Sequence, residues 1–284
     1  VAPIVINKIM SIITLTTDYG LKDYFVGALK GKILTTNPEL TIVDLSHDID
    51  PFNIVEASYI LSAAYANFPK GTVHLIGVDI ELNKENQHIA IQWNDHYFIA
   101  ADNGILSMLC QKIVPQKMVA INIHDRLHHG ATDLDVFVQV ACHLAKGGLL
   151  NVIGKEIPSI KEVTEMQVTM NDLGNQLTGS VMYIDHFGNV VTNISQKQFT
   201  EAAKGRSFEI LLRTKSIKTI VSNYSAIAVS DKYPIKYYEG EKLALFNEAG
   251  YLEIAIYRSN PSKVGSAHSL LGLNYRDTIT VKFS

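Results

Sequence analysis

The sequence predicts an α/β fold in two parts: an N-terminal α/β domain with a mainly parallel sheet over residues 10–160, and a C-terminal all-β, barrel-like domain over 172–284. Three observations carry this reading. From Ser11 to about Gly148, short β-rich runs alternate with helical patterns, the signature of strands joined by right-handed crossovers. Beyond residue 176 strand follows strand, separated by Gly, Asn, Asp and Ser clusters, as in a barrel or sandwich. Between them, 151–176 is polar and weakly patterned and reads as the connection.

In the first part the strand runs are IITLTT, LTIVDL, TVHLIGVD, HIAIQW and HYFIAA. The helical patterns between and after them are Tyr24–Leu34, Ile54–Asn67, Gly104–Ile113 and Leu134–Ala145. In the last of these, Leu134, Phe137, Val138, Ala141 and Leu144 recur at three- and four-residue spacing and mark one buried face. In the second part the strand runs are QLTGSVMYID, NVVTNI, FEILL, SAIAVS, EKLALF, YLEIAIY and TITVKF.

Composition narrows the function classes. In 284 residues, 47% are apolar and 19% charged, enough for sizeable cores and against global disorder. A net charge of -3, with both signs interspersed, offers no electrostatic footprint for nucleic acid or an anionic membrane. Cys110 and Cys142 lie in apolar helical patterns and read as buried thiols in a reducing compartment, so a cytoplasmic location is expected. The apolar start is interrupted by Lys8 and Asp18, short of the ~20 residues that span a bilayer. Met10 directly precedes the first strand, so residues 1–9 read as an extension outside the fold.

Four apolar strands each finish in an aspartate: Asp18, Asp44, Asp79 and Asp102. In open α/β sheets ligands bind outside the carboxyl ends of the strands, so parallel neighbours would converge these carboxylates on one crevice. The structural alternative is that each caps the helix after it. A carboxylate cluster suits a metal ion, a cation, or a sugar diol that donates two hydrogen bonds. A hard metal wants denser oxygen ligands, and no DxDxD-type loop occurs. Gly20, Gly27 and Gly31 form no phosphate loop; Gly20 reads as the turn after the strand, and Gly27 and Gly31 as close helix packing. RLHHG places His128 and His129 before the last helix, as catalytic candidates or as turn histidines. The absence of HExxH, CxxC and GxSxG removes zincin, zinc-ribbon and serine-hydrolase readings.

With Asp18, Asp79 and His129 in view, the chain resembles the SAM hydroxide adenosyltransferases, relatives of fluorinase and chlorinase. The resemblance runs from Met10 to the C-terminus through LTTDYGLKDYFVGALKGKI, TIVDLSHDIDPFNIVEASYIL, FPKGTVHLIGVD, YFIAADNGILSML, HHG, YIDHFGNVVTN and NEAGYLEIAI, in that order. It implies an α/β domain followed by a β-barrel, assembled as a homotrimer, with S-adenosyl-L-methionine (SAM) held between domains of neighbouring subunits. It also implies water or hydroxide attack at the ribose 5′ carbon, giving adenosine and L-methionine, with SAM as substrate and neither metal nor cofactor. Neither nucleic acid nor membrane is an implied partner.

Carried over residue by residue, Asp18 would hold the ribose hydroxyls, while Asp185 and Asn189 would hold the methionine end and the adenine. Phe187 would pack on the base, and Asn247 would join the substrate contacts. Asp79 and His129 match two members of the family's water-polarising Asp–Arg–His set. Read without the resemblance, DHFGN is a β-turn with a structural Asp and Asn. Two positions depart from the family pattern. Asn86 stands where the arginine is expected, with Lys84 or His88 as substitute cations, and Glu248 stands where a serine is usual. The competing functions are a SAM- or adenosine-binding protein without turnover, a halogenase, which ranks below both for want of the N-domain insertion, and last a metal-dependent nucleoside hydrolase.

Overall fold

The computed structural model describes residues 11–111, 113–163, 166–228 and 233–284; the proposed N-terminal extension lies outside them. The chain divides into two compact units, Val1–Val163 and Thr164–Ser284.

In the first unit the order is β1 (Ile12–Thr17), α1 (Phe25–Thr36), β2 (Thr41–Ser46), α2 (Ile54–Ala64), β3 (Val73–Gly77), β4 (His88–Trp93) and β5 (His96–Ala101). There follow α3 (Ile105–Leu109), β6 (Lys117–Ile121), α4 (Asp133–Ala145), α5 (Leu150–Ile153) and β7 (Gly154–Glu156). The sheet order is β2-β1-β3-β5-β4-β6-β7. Strands β2, β1, β3 and β5 pair in parallel, as the strand–helix alternation predicts. The alternation breaks once. Asn94 and Asp95 both take left-handed φ (49° and 63°) and turn β4 directly into an antiparallel hairpin with β5. Strand β6 pairs antiparallel to β4, and so runs in the direction of β5.

Helices cover both faces. On one, Leu29 and Ile33 of α1 and Phe137, Val140, Ala141 and Leu144 of α4 pack on Ile13, Leu15, Val73 and Leu75. On the other, Ala57 and Leu61 of α2 and Ile105, Leu106 and Leu109 of α3 pack on Ile76, Ile89, Ile91 and Phe98. Strands buried on both faces read as continuous apolar runs, which is why β1, β3 and β5 stand out in the sequence. Helix α4 starts at a capping box, Thr132 Oγ1 accepting from Asp135 N (3.3 Å) and Asp135 Oδ2 from Thr132 N (2.8 Å). Cys110 and Cys142 are free and buried, and burial pushes the Cys110 thiol up to about 12. Gly20 does make the turn after β1, at φ 64°. The packing role expected of Gly27 and Gly31 is not seen, since a Cβ at either would meet nothing within 4 Å.

The second unit contains β8 (Thr169–Met170), β9 (Gln176–Ile184), β10 (Val190–Ser195), α6 (Gln196–Ala203), β11 (Phe208–Leu212) and β12 (Lys215–Ile217). It continues through β13 (Lys242–Phe246), β14 (Tyr251–Ile256), α7 (Ala267–Leu271) and β15 (Thr278–Phe283). The strands form one antiparallel sheet in the order β12-β11-β15-β9-β10-β14-β13, with β8 on β9. Past β12 the chain returns as a bridge from Val221 to Leu245 of β13, so the two edges of the sheet approach closure and the unit is barrel-like. Two short helices interrupt the expected run of strands. SAIAVS is not a strand where it is described: Tyr224–Ile227 is a single 3-10 turn capped by Asn223, whose Oδ1 accepts from Ala226 N at 3.0 Å. Val229 and Ser230 lie outside the described residues.

Candidate active site

The order β2-β1-β3 places a topological switch point between β1 and β3, where the crossover from β1 runs to one side and the next returns to the other. Asp18 follows β1 directly and Asp79 follows β3 by two residues, so two of the four strand-end aspartates flank that point. None of the four caps a helix. Asp18 Oδ2 accepts the Phe52 amide at 3.0 Å and makes no other protein hydrogen bond among the described residues. Asp79 is half-buried, at a left-handed φ of 50°, and its carboxylate has no partner among the described residues. Asp102 Oδ1 accepts Lys161 N at 2.8 Å, and burial raises its carboxyl. Asp44 departs from expectation. It lies inside β2, with Lys30 Nζ 2.6 Å and His47 Nε2 3.1 Å away, and against the pull of burial the hydrogen bonds from these two side chains hold its carboxyl low. An ion pair already occupies that carboxylate, which leaves Asp18 and Asp79 as the pair open to a ligand.

Tyr19 joins them. An added Cβ on Gly77 would lie 2.9 Å from Thr17 Cγ2 and 3.5 Å from the Tyr19 hydroxyl, so a glycine there lets the ring lie over the end of β3. Burial, then the nearby Asp18 and Asp133 carboxylates, push the phenol up to about 12. At neutral pH it is therefore a hydrogen-bond donor beside two carboxylates. Phe52, whose amide Asp18 accepts, is 72% exposed, and the Phe25 ring lies 5.9 Å from that of Tyr19.

The loop from Asp79 to Gln87 is tied down by side chains from three elements. Asn103 Nδ2 donates to the carbonyls of Val78 (3.2 Å) and Asp79 (3.1 Å). His88 Nε2 lies 2.8 Å from Ile80 O, and Leu82 N donates to Asp133 Oδ2 at 3.0 Å. Of the two substitute cations, Lys84 is exposed, and His88 is buried, with desolvation lowering its pKa, so it stands neutral. The cation that reaches Asn86 is one the sequence reading missed: Lys161 Nζ donates to Asn86 Oδ1 at 3.1 Å. His129 is exposed on the turn before α4 and its ring has no hydrogen-bond partner among the described residues. No bond ties it to Asp79.

In the second unit Asp185, Asn189 and Asn247 belong to one polar network. Asp185 accepts from Asn189 N (2.8 Å) and Asn189 Nδ2 (2.9 Å), closing the DHFGN turn over Gly188 at φ 71°. Asn189 Nδ2 also donates to Tyr224 Oη at 3.1 Å. Tyr224 Oη in turn donates to Glu253, which takes Asn247 Nδ2 at 3.2 Å. Glu253 is buried, and burial raises its carboxyl against these two donors. Asn247 Oδ1 accepts Tyr251 N at 3.1 Å, so both ends of its amide serve the protein. Phe187 stands at the turn's tip, 63% exposed, and Glu248 turns to solvent. Tyr224 and Glu253 were not singled out from sequence. Glu253 falls at the alternate positions of YLEIAI, on the face opposite Leu252, Ile254 and Ile256, where a charged residue is ordinary, so its burial gave no signal in the sequence.

An α/β unit with open carboxylates at its switch point, followed in sequence by an antiparallel barrel-like unit with its own polar network, is the class of protein that the fold defines. The chain belongs to the SAM hydroxide adenosyltransferase family: the N-terminal domain model matches residues 13–154 and the C-terminal one residues 179–280. Among curated proteins it is similar to the (R)-S-adenosyl-L-methionine hydrolase of Methanocaldococcus jannaschii, 29% identical over 97% of each chain. It is 25% identical to the enzyme of that name from Thermus thermophilus, over 90% of this chain and 94% of that one. A fluorinase from Actinopolyspora mzabensis is 23% identical over 86% and 90%. Among solved structures, a conserved protein from Thermotoga maritima superposes with a TM-score of 0.79 at 27% identity, over 95% of this chain and 99% of that one.

No helix among the described residues is long and apolar enough to cross a membrane, and no group of three His, Cys, Asp or Glu among them is placed to hold a metal ion.

Proposed function

We propose that the chain hydrolyses S-adenosyl-L-methionine to adenosine and L-methionine, with water attacking the ribose 5′ carbon. The observation that carries this reading is the pair Asp18 and Asp79, two carboxylates without a cation partner among the described residues, flanking the switch point of a chain whose family match runs through both units. The sulfonium leaves as a neutral thioether: the C5′–S electron pair goes to sulfur, a C5′–O bond forms, and the water loses one proton. The protein's work is alignment and electrostatics, not activation of the leaving group. Asp18 accepts the ribose hydroxyls, and Asp79 orients the water and takes up its proton, with His129 as the second polarising group. Phe187 packs on the base, Asp185 and Asn189 serve the methionine and adenine ends, and Asn247 contributes by holding its turn and Glu253. The protein acts as a cytoplasmic homotrimer in this reading, without a cofactor; a concentration-independent monomer in sedimentation would remove the trimer.

The test is incubation with SAM, offered separately as the R and S sulfonium epimers, followed by chromatography for adenosine, methionine and 5′-halo-adenosine. Adenosine and methionine in equal amounts are expected. Tight binding without turnover would replace the hydrolase with a binding protein, and a chloride- or fluoride-dependent product would replace it with a halogenase.

A further inference from the structure

Asp79 takes a left-handed backbone conformation that non-glycine residues seldom adopt, so something must hold it there. Asn103 fixes the backbone at and before Asp79. The residues after it are held from two other elements. His88, at the start of β4, is 1% exposed. A carbonyl oxygen only accepts, so the 2.8 Å contact with Ile80 O puts the proton of neutral His88 on Nε2. Its Nδ1 is then an acceptor, and His124 Nε2 donates to it at 3.0 Å. The His88 ring is wedged edge-on against Phe137 of α4, centroids 4.7 Å apart. Asp133, the first residue of α4, accepts Leu82 N through Oδ2 at 3.0 Å, with Oδ1 3.9 Å from His88 Nε2. The chain from Ile80 to Leu82 is thus pinned between the β4 start and the α4 start.

We propose that Asp133 and His88 are positioning residues for Asp79. They fix the segment that follows it, so the strained Asp79 backbone keeps its place beside the switch point, its carboxylate without a partner among the described residues. The inference rests on the hydrolase reading and assigns two residues that act through Asp79 and not on the substrate.

The experiment compares wild type, Asp133→Ala and Asp133→Asn in SAM turnover and in amide hydrogen exchange. An asparagine keeps an oxygen that accepts Leu82 N–H, whereas alanine does not. Misplacing a catalytic group by about 1 Å costs up to about 10²-fold, so kcat of Asp133→Ala is expected to fall about 10- to 100-fold. KM should stay within about two-fold, the pattern of a group that acts on the reaction step and not on substrate binding. Asp133→Asn should recover most of the rate, and Leu82 N–H should lose exchange protection only in the alanine variant. An equal loss in both variants would make the charge of Asp133, not its tie to Leu82, the active feature and would overturn the inference. So would an unchanged kcat in Asp133→Ala while wild type turns over, which leaves the hydrolase reading standing. If wild type shows no turnover, the hydrolase reading itself fails and the positioning role falls with it, whatever the exchange data show. His88→Gln, which can still donate to Ile80 O, should behave like Asp133→Asn; a collapse in its kcat at unchanged Leu82 protection would also count against the proposal.

Discussion

Asp18 permits the sharpest quantitative test, because one of its oxygens is already committed. Oδ2 accepts the Phe52 amide at 3.0 Å, which leaves both lone pairs of Oδ1 and one of Oδ2 for a ribose diol that donates two hydrogens. Hydrogen bonds to a charged acceptor contribute ~1.5–3 kcal/mol each. Asp18→Ala should therefore weaken adenosine binding by ~3–6 kcal/mol, or two to four decades in Kd. Asp18→Asn separates ligand from fold. Its carbonyl oxygen still accepts Phe52 N–H, but its amide nitrogen presents donors where the diol needs acceptors. It should lose at least one diol bond, about one to two decades, with the melting profile unchanged. Calorimetry with adenosine and 2′-deoxyadenosine completes the cycle. Wild type should prefer adenosine, and Asp18→Ala should lose most of that preference. If the alanine variant still discriminates as wild type does, another group binds the diol and Asp18 leaves the site.

Asp79→Asn should lower kcat by about 10²–10⁴-fold, the usual contribution of a group that orients or deprotonates the nucleophile, and change SAM affinity much less. A wild-type rate in that variant would end the assignment of Asp79 to the water. Lys161→Ala should reduce turnover more than Lys84→Ala, since Lys161 reaches Asn86 and Lys84 extends into solvent; the reverse order in matched assays would restore Lys84 as the substitute cation. Burial, then the neighbouring His96, lowers His74 from 6.5 to about 3, so the fold holds it neutral while the unfolded chain takes up a proton below 6.5. Stability should thus fall with pH between 6.5 and 3 by ~1.4 kcal/mol per unit from this group, and His74→Phe in a Thr14→Val background should show a shallower slope in urea unfolding at pH 7 to 4.5; equal slopes would refute it.

The parallel half of the sheet was legible because its physics is local. Strands buried on both faces are largely apolar and β-branched, and each ends where polarity returns, so IITLTT and HYFIAA coincide with β1 and β5 and TVHLIGVD covers β3. The β4–β5 hairpin was legible in principle too, since two residues between strands cannot hold a crossover, and Asn-Asp tolerates the left-handed turn. Short edge strands such as β7 and β12 carry no such signal: with three residues each, they have too few positions to show a period and take their pairing from the neighbouring strand.

The site divides along the same line. Asp18 and Asp79, the proposed site carboxylates, stand out in the sequence because a charged residue closing an apolar strand is a local anomaly. Asp44 looked identical by that criterion, yet Lys30, fourteen residues earlier in sequence, neutralises it, and no local pattern announces that pairing. Asp133 lies one residue before the helical pattern Leu134–Ala145 and opens α4, and its carboxylate reaches across 51 residues of sequence to Leu82. His88, considered as a cation, instead sits neutral because burial under Phe137 and a donor from His124 leave no room for a second proton. What decides whether an ionisable residue here is a ligand group, a counter-ion or a strut is its partner across the fold. Asp18 and Asp79, the two carboxylates proposed for the chemistry, are strand-end aspartates to which no described residue supplies a cation.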